Sequence, residues 1–233
     1  MLPLKDNVPT RRFAVVTVAI IAANLAVWIL WERTGSGPAF TSSLRDGAYF
    51  PCEVQGSCNG PGWPWPVNVF TSMFMHASWE HILGNMLFLW IFGNNVEDTF
   101  GRARFLLFYL AGGVAATAVQ SFVTLDYGTP HDALVPNLGA SGAIAAVLGA
   151  YFVLLPRGRV LTFVIPFFFF ELPAMVFLGI WFLFQLVDGG FSFVQPQAGG
   201  GVAFFAHIGG FAFGVLTVKL FSAGRPRPLQ PSY

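Results

Sequence analysis

Charge is scarce in this chain. Only 10% of its 233 residues are Asp, Glu, Lys or Arg, where a soluble domain carries about a quarter. That shortage excludes an ordinary soluble domain and points to a polytopic membrane protein, as do 55% hydrophobic residues, 27 Phe and 7 Trp. Cysteine is nearly missing: Cys52 and Cys58 are the only two, and no second CxxC or His cluster joins them. A local disulfide on an oxidising side is the expectation, ahead of a metal pair. Several catalytic patterns are absent as well. A zinc protease needs HExxH, but Asn85 stands where the second ligand of Glu80-His81 would be. An aspartyl protease of the membrane needs paired Asp inside helices, whereas Asp98, Asp126, Asp132 and Asp188 fall at ends or in loops. Gly139-Ala140-Ser141-Gly142 is not a G-x-S-x-G elbow, because Ala143 holds the last glycine position. There is no internal repeat and no charged path across the midplane, which a small transporter would show.

Long apolar runs are plentiful. They cut at Phe13–Trp31, Ile82–Val96, Phe105–Val123, Leu138–Leu155, Leu172–Val187 and Val202–Phe221, most close to the roughly 20 residues that cross a hydrocarbon core. Apolar neighbours 69–75 and 160–170 extend or cap the two short runs. Six spans put both termini on one side. That side receives Lys5, Arg11, Arg12, Arg102, Arg104, Arg157, Arg159, Lys219, Arg225 and Arg227, ten of the 12 basic residues. Only Arg33 and Arg45 fall outside, so the positive-inside rule gives an N-in, C-in topology. Arg11-Arg12 before an apolar run also fits a signal peptide, but the run is long and lacks a clear cleavage site, so an uncleaved first helix is expected.

The expected organisation is a cytoplasmic N-terminus (1–12), an all-α membrane domain (13–222) and a disordered cytoplasmic tail (223–233). The outside loop 32–68 is rich in Gly, Pro and Trp, which argues against regular helix and suits an interface-lying segment. A second outside loop, 188–201, has glycines at both ends of an apolar middle, the composition of a flap or of an ordinary interfacial loop.

Within this apolar chain, Ser141 and His207 are expensive, and an intramembrane polar residue is by default a functional candidate. Both lie near the outer ends of their helices, so they sit at similar depth. Ser141, Ala145 and Gly149 form a small-residue stripe on the fourth helix; His207, Gly210 and Gly214 form one on the sixth. Such stripes let helix backbones approach closely in lipid. Facing one another, they bring a hydroxyl nucleophile to an imidazole base. His81 and Asn85, four apart on one face of the second span, are suitable donors to an oxyanion, joined by the Ser141 N–H at a helix N-terminus. His76 reads as a structural brace for the outside loop. No acidic third member accompanies His207, so a dyad is the economical reading, and neither cofactor nor metal is expected.

From about Val69 to Gly214 these residues resemble the rhomboid family of intramembrane serine proteases. The resemblance rests on His81-Ile82-Leu83-Gly84-Asn85, then Gly93, Glu97 and Gly101, the 139–142 string, and Ala206-His207-Ile208-Gly209-Gly210 with Gly214 beyond. It implies a six-helix rhomboid-like bundle with a water-filled cavity open to the outside, Ser141 as nucleophile, His207 as general base, and His81 and Asn85 as oxyanion donors. It also implies transmembrane proteins as substrates, cut within or near their membrane helices in a plasma or inner membrane, with lipid as surroundings and no nucleic acid as partner. Two features depart from the family pattern. Ala145 stands where many relatives carry a Tyr that stacks on the catalytic His, leaving Trp181 or Phe205 to orient the ring. The Trp-Arg pair often seen in the outside loop is absent.

Overall fold

The computed structural model describes residues 1–58, 62–164, 166, 168–194 and 203–230, and it is mostly helical. In chain order the elements are β1 (Leu2–Asp6), α1 (Val15–Ala26, continued by a π turn Val27–Trp31), α2 (Gly37–Gly47), α3 (Trp65–Thr71), α4 (Trp79–Phe100) and α5 (Arg102–Tyr127). They continue as α6 (Ser141–Leu154), β2 (Arg159–Val164), β3 (Phe168–Pro173), α7 (Ala174–Val194) and α8 (Phe204–Ser222).

Each apolar run has become a helix. α5 and α8 are long and apolar enough to cross a membrane, while Val15–Trp31, Ser141–Leu154 and Ala174–Gly190 are apolar but shorter. α6 sits at the centre. Its residues from Gly142 to Tyr151 are all buried, as expected of a helix that is apolar on every face. α4, α5 and α8 enclose it, and Tyr151 meets Phe92 of α4 edge-on with centroids 5.0 Å apart.

Glycines set the closest approach. A Cβ at Gly210 would overlap the Gly142 carbonyl, and one at Gly214 the Ala146 carbonyl. The small-residue stripes meet: a Cβ at Gly210 would lie 3.2 Å from Ala145 Cβ and one at Gly149 would overlap the Phe211 carbonyl, with Gly142 and Ala146 sharing the contact.

α1 packs on α4 through an unusual cap. Ala14 at its N-cap has no side-chain oxygen, and the buried Glu97 carboxylate takes its place, accepting from Val16 N–H (3.0 Å), Thr17 N–H (2.7 Å) and Thr17 Oγ1–H (2.8 Å). The two backbone N–H groups are donors that a helix start leaves open.

Three differences from the sequence reading stand out. Residues 160–170 do not extend a helix. β2 and β3 form an antiparallel hairpin to which β1 adds, in the order β1-β2-β3. The β-branched and aromatic side chains there suit a pleated surface better than a helix. Loop 32–68, expected outside, also contains regular helix, α2 and the start of α3. Pro38 and Pro66 lie in the first turns, where a missing N–H costs nothing. Finally, α7 runs on to Val194, so the first half of segment 188–201, expected as a flap or an interfacial loop, is helical, and residues 195–201 of it lie outside the described residues.

Loop 32–68 is tied down at several points. The fully buried Trp28 ring lies under Gly35, where a Cβ would overlap it, and Trp31 stacks on Trp63 at 5.4 Å. Cys52 and Cys58 are disulfide-bonded, with Cα atoms 5.5 Å apart.

Candidate active site

Ser141 is the first residue of α6, and the strand leading to it is held from two sides. Asn137 and Tyr49 exchange backbone hydrogen bonds (2.7 and 3.3 Å), and Gly139 N–H donates to the Ser72 carbonyl at 2.8 Å. Gly139 has φ +125°, a region that side chains rarely adopt. A Cβ there would lie 2.8 Å from His81 Nε2 and 3.7 Å from Ser141 Oγ. The bare glycine thus leaves room for the serine hydroxyl and the His81 ring to converge on one spot. The first N–H groups of α6 have no intrahelical acceptor, so donors surround Ser141.

His81 lies in the first turn of α4, its own N–H donating to the N-cap Ser78 Oγ at 3.2 Å. Its Nδ1 accepts, at a long 3.5 Å, from Ala77 N–H. A neutral ring that accepts at Nδ1 carries its hydrogen on Nε2, the nitrogen facing Gly139. Asn85, one turn on, is drawn elsewhere: its Nδ2 donates to His76 Nε2 at 3.0 Å. His76 in turn gives its backbone N–H to both Glu32 carboxylate oxygens (3.0 and 3.1 Å), which ties the loop after α1 to the start of α4. Glu32 is fully enclosed, and burial pushes its carboxyl up to about 7.

His207 lies in the first turn of α8. Its neighbour Ala206 gives its N–H to Gln120 Oε1 of α5 at 3.1 Å. The imidazole Nδ1 is 2.7 Å from Gln185 Oε1 of α7. The Trp181 ring lies against it with centroids 5.9 Å apart and planes 39° apart. Ala145, fully buried, packs instead toward Gly210. Trp181, one of the two aromatics expected to orient the ring, makes this tilted contact. The turns carrying Ser141 and His207 touch: a Cβ at Gly142 would sit 3.8 Å from Ala206 Cβ. Among the described residues no hydrogen bond joins Ser141 to His207.

An open pocket of about 400 Å³ borders this region, lined by Ser72, Gly113, Gln120, Asn137, Ser141 and Ala206, among others. His81, Asn85 and His207 are outside its lining. Gln120 and Gln185 escaped the sequence reading, yet each is an amide within an apolar helix, the signal that singled out Ser141 and His207.

The fold and site define a helical membrane protein in which a serine and a histidine head two abutting helices. The chain belongs to the rhomboid family: residues 64–224, well over half of its length, match the Rhomboid domain. It is 35% identical over 148 residues to the presenilin-associated rhomboid-like protein A, mitochondrial, of Danio rerio, covering 62% of this chain and 34% of that one. It is 32% identical over 157 residues to the mitochondrial rhomboid protein 1 of Saccharomyces cerevisiae (64% and 40%). With the rhomboid protease GluP of Bacillus subtilis it shares 34% over 134 residues (58% and 23%). The match therefore spans well under half the length of these relatives.

Proposed function

We propose that the chain is an intramembrane serine endopeptidase that cuts other membrane proteins within or beside their transmembrane helices. One observation carries the reading: in a chain of this family, Ser141 and His81 converge over Gly139 while the His207 turn packs against the Ser141 turn. A relative named as a rhomboid protease supports the same activity. α1, α4, α5, α6, α7 and α8 are the six spans, with both termini inside. Contacts at one end support this: β1 pairs with the β2–β3 hairpin, Arg11 reaches Asp98 and the Arg227 carbonyl, and Arg104 reaches the Ala223 carbonyl. The mitochondrial names of several relatives favour an inner membrane over a plasma membrane.

In the cycle, His207 takes the Ser141 proton as the hydroxyl attacks a peptide carbonyl. The α6 N–H groups and His81 Nε2–H stabilise the oxyanion, with Asn85 turning from His76 to join them. The amine then leaves with a proton from His207, and water hydrolyses the acyl-enzyme. Substrate helices unwind locally first, because their own hydrogen bonds shield the scissile carbonyl. A fluorophosphonate probe labels the wild-type protein and not Ser141→Ala, and His207→Ala folds but loses turnover. Equal labelling of wild type and Ser141→Ala would sink the proposal.

The missing Ser141–His207 bond favours a second reading, a silent family member that binds membrane helices without cutting them. Cleavage of a generic helical substrate in detergent separates the two.

A further inference from the structure

Gln185 is nearly buried, at 9% exposure, in an otherwise apolar stretch of α7. Its Nε2 donates to the Trp181 carbonyl one turn earlier, at 3.3 Å, and its Oε1 lies 2.7 Å from His207 Nδ1. The first bond sets the sense of the amide. With the NH2 on its own helix, the oxygen faces the imidazole. An amide oxygen only accepts, so Nδ1 carries the hydrogen and Nε2 keeps its lone pair.

We propose that Gln185 is a positioning residue that holds His207 in its Nδ1–H tautomer, with Trp181 bracing the ring from the same face of α7. The proposal rests on the protease reading and names what replaces a triad's third member. A general base must present a lone pair to the hydroxyl, which a buried carboxylate secures in Ser-His-Asp sites. A neutral amide gives the same tautomer without placing a charge in the membrane. Trp181 and Gln185 are four residues apart, so one helical face supplies both constraints, and the ring needs no aromatic at Ala145. Among the groups around His207, His81 of α4 is titratable. Gln120, Ser141, Trp181 and Gln185 carry no charge, and Asp188, next along α7, is exposed.

Two measurements test this. In detergent-solubilised protein with 15N-labelled histidine, the His207 signals (assigned by loss in His207→Ala) show a protonated Nδ1 and a bare Nε2. In Gln185→Leu the hydrogen shifts toward Nε2. In cleavage assays Gln185→Leu lowers kcat on the order of 100-fold at unchanged KM. Gln185→Glu recovers most of the rate and moves the acid limb of the pH profile up by about one unit, because a carboxylate favours the imidazolium. A bare Nδ1 in the wild-type spectrum overturns the inference, as does a Gln185→Leu variant with wild-type kcat and pH profile. Failure of the protease reading is distinguishable, because the tautomer is read without turnover.

Discussion

Removing the Glu97 carboxylate should loosen α1 from the bundle. Three hydrogen bonds end on this one group, two from backbone N–H groups and one from the Thr17 hydroxyl, and Thr17 is fully buried. A hydrogen bond to a charged group contributes about 1.5–3 kcal/mol, but the three share one carboxylate and are not additive. A loss of about 4 kcal/mol for Glu97→Ala is the resulting expectation, with two backbone donors left unpaired. Glu97→Gln keeps one acceptor oxygen and should cost about half as much. For a chain of this size each kcal/mol moves Tm by about 2–4 °C, so Glu97→Ala should melt roughly 8–16 °C lower. Tryptophan fluorescence during a thermal ramp in mild detergent measures it. The capping explanation makes a sharper demand. Ala14→Asp, which places an acceptor at the N-cap of α1, should restore about 1 kcal/mol in the Glu97→Ala background. A Glu97→Ala variant melting within about a degree of wild type refutes the reasoning. A normal loss that Ala14→Asp leaves untouched shows that Glu97 acts otherwise than as a cap.

Gly139→Ala should slow cleavage on the order of 100-fold while the protein still folds, because the new methyl displaces the His81 ring and strains the approach to Ser141; wild-type turnover counts against the site geometry. Glu32 gives a pH signature. Burial raises its pKa from 4.5 to about 7 in the folded protein, so the folded state holds a proton that the unfolded chain releases. Its contribution is fully present below about pH 4.5 and is lost as pH rises through 7. The difference in Tm between wild type and Glu32→Gln should therefore fall across that window and flatten above it; a flat difference throughout removes Glu32 as the cause. Replacing Cys52 and Cys58 together by Ser should cost about 2 kcal/mol, given so short a closed loop, and leave fluorophosphonate labelling intact.

Helix positions were legible because apolar runs of the right length have few alternatives in a membrane. The residues that head those helices were legible because polar groups there are costly. What escaped was set by partners far away in the chain. Nothing near Glu97 announces that it caps a helix some 80 residues earlier, and Asn85 looks free until His76 is seen to occupy its amide. The hairpin was misread for a local reason: Phe168, Phe169 and Phe170 count as apolar run in a window, yet all three are exposed. The stripe on α6 is broader than its four-residue spacing says, because Gly142 and Ala146 join Ala145 and Gly149 against α8.

The small sheet has a bearing on how the protein is made. β1 comprises residues 2–6, but the strand it pairs with begins at Arg159. A ribosome has therefore threaded four of the proposed spans before a partner for β1 exists. Through all of that time β1 has no strand to pair with. Once β2 emerges, pairing closes a loop of more than 150 residues, so the beginning of the chain is fastened later than the helices that follow it up to α6.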